Sequence, residues 1–169
     1  MDKHSIIQQN VANIRGSVIQ NCVMVEKIMD EFISGYFCKE NLKEDLMTFL
    51  LCTERITFRG KSDIFKLIIE KKENAARFAE FKKENPSIHN EITEYILEER
   101  NIFAHYLLDT AEGYIDRYEK HGIIRFIKFK VSKEKPAVHY LEYNNDRIQK
   151  IHKTIIKCGD AIIKLNQIL

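Results

Sequence analysis

A chain of 169 residues, 44% of them apolar and 31% charged, is long enough to bury a core and has the composition of a globular domain. Six Gly and two Pro give too little punctuation for a many-stranded fold, so helix is the expected class. The 27 basic residues against 25 acidic leave a net charge of +2, which excludes a strong overall field for nucleic acid and requires any binding surface to be local.

From Ile7 to Tyr36 the apolar positions Ile7, Val11, Ile14, Val18, Cys22, Val25, Met29, Phe32 and Tyr36 step by three or four, which predicts one long helix with a continuous apolar side. Asn41 with Glu44 reads as a capping box opening a helix that carries Leu42, Leu46, Phe49 and Leu50 and ends near Thr53. Gly60 breaks the next stretch, and Ser62 is expected to cap a helix with Phe65, Ile68 and Ile69 on one side. Asn85 as N-cap and Pro86 at the first helical position then start a helix expected to reach about Leu107. Ile123 to Val131 is β-branched and aromatic, residues 132–136 read as a turn, and Val138 to Tyr143 returns as a second strand. Ile148, Ile151, Ile155, Cys158, Ile162, Leu165 and Leu169 mark a closing helix.

These elements predict an all-α, up-and-down bundle of about five or six helices with one β-hairpin at about residues 122–143, as a single domain over residues 1–169. Cys22, Cys38, Cys52 and Cys158 are too dispersed for a metal or redox motif and fit reduced, buried thiols. The N-terminus lacks an apolar signal core and no run approaches a membrane span, so a cytoplasmic protein without membrane association is expected.

The stretch that stands out is Arg100-Asn101-Ile102-Phe103-Ala104-His105, with Glu98 and Glu99 just upstream. Side chains placed about 100° apart put Ile88, Ile92, Tyr95, Ile96, Ile102, Phe103 and Tyr106 on one side of this helix, and Glu94, Glu98, Asn101 and His105 on the other. Arg100 lies about 140° from His105, so the pair converges only if the long Arg side chain bends. Glu99 falls within the apolar stripe, where a carboxylate needs a partner, Lys61 being one candidate. A second Arg-to-His spacing, Arg147 to His152, reads as a solvated face of the last helix.

The string from Glu98 to His105 resembles the signature of the HEPN superfamily (higher eukaryotes and prokaryotes nucleotide-binding), all-helical domains that include metal-independent ribonucleases and ribonuclease toxins. Thr57-Phe58 followed by Lys61 and a helical run resembles a stretch ahead of the motif helix in bacterial members. The resemblance implies an endoribonuclease with catalytic Arg100 and His105, supported by Asn101 and Glu98, with no cofactor or metal. It further implies a homodimer across the motif helix, with an interface drawn from Glu94, Leu97, Asn101, His105 or Leu108. RNA is then the substrate, a cognate antitoxin protein a further partner, and toxin or anti-phage defence the setting. Some toxin members carry a Tyr two residues after the His as a modification target, whereas Leu107 stands there in this chain.

The chemistry of those residue types agrees with such a role. His titrates near neutrality and serves as acid or base, and guanidinium grips a phosphate in two places. One Arg and one His supply only half of what metal-free cleavage needs, and a symmetry mate supplies the rest. The alternative reading pairs Arg100 with Glu94, leaves His105 solvated near a helix C-terminus, and makes the chain a non-catalytic dimerisation or protein-binding module. The basic, aromatic run holding Arg125, Phe126, Lys128 and Phe129 reads either as an exposed hairpin face or as an RNA-contacting surface.

Overall fold

The computed structural model describes residues 3–38, 40–51, 56–131 and 136–169. The chain is predominantly helical, with a small antiparallel sheet in its C-terminal half. It divides into two compact units, one of Met1–Gln20 with Glu99–Lys153 and the other of Asn21–Glu98 with Thr154–Leu169. Among the described residues, no helix is long and apolar enough to cross a membrane.

Helix α1 (Lys3–Phe37) runs unbroken, and its stripe residues Val11, Val18, Cys22, Val25, Met29 and Phe32 are buried. Helix α2 (Glu40–Leu46) continues as a wider π turn over Met47–Leu51. It opens at Glu40 rather than behind Asn41, whose side chain lies outside the described residues. Leu42, Phe49 and Leu50 are exposed, and within the π turn only Leu51 is buried, because the wider turn moves the apolar side out of phase.

Helix α3 (Phe58–Glu70) starts before Gly60, since Thr57 caps it with Oγ1 accepting from the Gly60 amide at 3.2 Å. Ser62 is therefore inside the helix and buried, not its cap, whereas Phe65, Ile68 and Ile69 are buried as the spacing predicts. Phe32, Phe65, Phe78 and Phe81 form the aromatic core of this unit, with Phe32 and Phe65 edge-to-face at 5.2 Å. Helix α4 (Ala79–Glu84) ends at Asn85. The Asn85 amide donates to the Phe81 carbonyl at 3.1 Å, so it closes α4 instead of capping the following helix. The next helix begins two residues beyond Pro86 as α5 (Ile88–Asn90), widens into a π segment at Glu91–Ile96, and tightens into α6 (Leu97–His105).

Strand β1 (Leu107–Leu108) follows at once, where the sequence predicts the last turn of helix. It pairs with β2 (Ile124–Val131), which pairs with β3 (Pro136–Tyr143), so the expected hairpin gains a third strand. The hairpin turn at 132–135 and Cys52 lie outside the described residues. Helix α7 (Glu112–His121) links β1 to β2 and ends on Gly122, whose φ of 63° is the left-handed geometry that glycine adopts without strain. Helix α8 (Asn145–Asn166) buries Ile148, Ile151, Ile155, Cys158, Ile162 and Leu165, while Leu169 is exposed.

Candidate active site on helix α6

Two residues of α6 hold it against the sheet. Phe103 is fully buried and packs edge-to-face on Phe126 and Tyr143, with centroids 5.1 and 5.0 Å away. Glu99, only 4% exposed, accepts from Tyr143 Oη at 2.5 Å and from Arg147 Nη2 at 2.9 Å. Its partner is thus Arg147 and not Lys61, which is itself buried between Glu26 at 2.7 Å and Asp30 at 2.9 Å. Arg147 also donates to the Glu142 carbonyl at 3.1 Å and lies over the Tyr143 ring, so it is a half-exposed anchor rather than part of a solvated face.

With that side of the helix buried, the helical repeat turns the signature residues outward. Glu98, Asn101 and His105 are exposed and Arg100 is half-buried. No hydrogen bond or ion pair joins the side chain of Glu98, Arg100, Asn101 or His105 to another described residue, so Arg100 is not paired with Glu94. The four share one helix face or its flank, and no contact draws Arg100 and His105 together within one chain.

Sequence reasoning missed Arg15. Its guanidinium stacks over Phe126, 4.7 Å from the ring centroid, and donates to the backbone carbonyl of Tyr106, the residue after His105. Burial lowers its pKa, and Nε is buried with no hydrogen-bond partner. Arg15 occupies a half-buried flank of the α1 stripe, where a cation reads as ordinary surface charge, so nothing local signals it. It clamps the chain where α6 gives way to β1.

Among the described residues, no group of three or more His, Cys, Asp or Glu lies together as a metal-binding set. Cys22, Cys38 and Cys158 are free thiols. Burial, with Glu91 nearby, pushes the Cys158 thiol up to about 12, which leaves it protonated and a poor nucleophile. Comparison with protein-family models, curated proteins and solved structures finds no significant match to the chain.

Proposed function

We propose that this chain is a metal-independent endoribonuclease of the HEPN type, acting at a composite site to which each of two identical copies contributes Arg100 and His105. The observation that carries the reading is the division of labour along α6. Glu99 and Phe103 are buried and fully engaged, while Asn101 and His105 face solvent and the Arg100 guanidinium has no partner among the described residues. An Arg and a His left free on a helix anchored from behind are available to a phosphate, and the resemblance in sequence names the reaction.

In that reaction one imidazole removes the proton of the ribose 2′-hydroxyl, which attacks the adjacent phosphorus. The second imidazole, protonated, gives its proton to the departing 5′-oxygen. The two guanidiniums neutralise the charge that builds on the phosphorane oxygens. Asn101, one residue after Arg100, orients the pair, and Glu98 lies one position before the anchoring Glu99. The products end in a 2′,3′-cyclic phosphate and a 5′-hydroxyl. Free thiols suit a cytoplasmic setting, and a toxin or anti-phage role, with a cognate antitoxin, follows from the resemblance.

Cleavage of single-stranded RNA is expected to persist in excess EDTA and to fall by about two orders of magnitude or more in Arg100→Ala and in His105→Ala. His105→Ala should leave stability within about 0.5 kcal/mol, because the side chain is exposed. DNA lacks the 2′-hydroxyl and should resist. If wild type cleaves no RNA, or both variants cleave as wild type does, the enzyme reading fails and the chain is a dimerisation or protein-binding module.

A further inference from the structure

The sheet has one face with no helix over it. Alternation along β2 sends Ile124 and Phe126 inward, both buried, and Arg125, Ile127 and Phe129 outward. Register then brings Leu107 and Tyr140 beside Ile127, and Val138 beside Phe129, on that outer face. Leu107 is 59% exposed, Phe129 62%, Val138 46% and Tyr140 53%. Side chains of these sizes at these exposures amount to ~500 Å² of apolar surface, at the upper end of the patches monomeric proteins leave open.

Charge decides what fits there. The outer face carries Arg125 and Glu142 opposite each other, and each is already paired within the chain. Arg125 Nε donates to Asp109 at 2.7 Å with its guanidinium over Tyr114 and Tyr140, and Glu142 accepts from Arg117 at 3.2 Å. Lys128 points to the opposite face, over the Tyr106 ring. A strand of RNA needs cations beside the rings it stacks on, and this face keeps none in reserve. A neutral apolar face does not repel its own copy, as a two-fold contact requires. A standard interface buries about 800 Å² per partner, roughly 60% of it apolar, which is close to what this patch supplies.

We infer that the outer face of the β1-β2-β3 sheet is where a second copy of the chain docks, with Phe129 and Tyr140 as its anchors. His105 precedes Leu107 by two residues, so their Cα atoms lie within about 7 Å and His105 sits at the rim of the contact. The inference rests on the proposed composite site only in taking this second copy as the one that completes it.

Sedimentation velocity at about 10 µM on the full chain tests it, with Phe129→Asp, Tyr140→Asp and, as a control from another exposed apolar site, Phe49→Asp. The wild type and Phe49→Asp should sediment as dimers. Both sheet variants should keep the wild-type circular dichroism spectrum and dissociate, with affinity lowered about 100-fold or more. A monomeric wild type overturns the inference, as does a dimer that survives both sheet substitutions or one lost only in Phe49→Asp. Anisotropy of a labelled oligouridylate supplies the other arm: RNA bound by monomeric wild type and released by both sheet variants would make this a nucleic-acid surface instead. The nuclease reading fails separately. A dimer broken by Tyr140→Asp in a chain that cleaves no RNA keeps the docking face, and an active dimer indifferent to the sheet variants keeps only the nuclease.

Discussion

Burial, together with the nearby negative charge of Glu26 and Glu31, raises the Asp30 carboxyl from 3.8 to about 6 despite its hydrogen bond to Lys61. The Lys61 ammonium moves up as well, because its bonds to Glu26 and Asp30 outweigh its own desolvation. Asp30 Oδ1 has no partner, consistent with a carboxyl reluctant to ionise. A folded-state pKa above the unfolded value means the folded chain holds this proton more tightly. The stabilisation is therefore full below about pH 4 and is lost as pH rises through about 6. Relative to Asp30→Asn, wild type should lose on the order of 2 kcal/mol of unfolding free energy between pH 4 and pH 7, measured by urea denaturation. A difference that stays flat or rises with pH would count against this account. The sequence marks Glu99 as a carboxylate in need of a partner, but nothing local distinguishes Lys61 from Arg147 as that partner. The choice depends on which cation another acidic pair has already taken.

At the scale of the element, α6 depends on its buried side to hold its exposed one. Removing the Glu99 carboxylate orphans the buried Tyr143 hydroxyl and the half-exposed Arg147, so Glu99→Ala should cost roughly 1–3 kcal/mol. Phe103→Ala empties a fully buried ring site and should cost roughly 3–5 kcal/mol. Chemical denaturation measures both, and near-neutral values would mean that α6 is held by something else. The side of α6 that faces solvent is legible in sequence because the helical repeat is local and nine residues accumulate little phase error. The π segment at Glu91–Ile96 is not legible. Its apolar residues, Ile92 and Ile96, are four apart, a step that suits a normal or a widened turn equally.

For the whole molecule, association through the sheet couples folding to concentration. The wild-type melting temperature should rise with protein concentration while that of Tyr140→Asp stays constant, as differential scanning calorimetry over a hundredfold dilution would show. A wild-type midpoint independent of concentration would argue for a monomer. By itself the sequence determined the helical class, the buried stripes of α1, α3 and α8, the two long strands of the hairpin and the exposure of Asn101 and His105. Each of these follows from side-chain periods of 3.6 or 2, which neighbours along the chain already express. Only the tertiary structure decided that Thr57 and not Ser62 caps α3, that Leu107 and Leu108 form a strand, and that Arg147 meets Glu99. It likewise buried Phe126 and left Phe129 open beside Tyr140. These outcomes depend on strand register, on competition for caps and on pairings between residues tens of positions apart, and a local repeat carries no information about which distant surface comes to meet it.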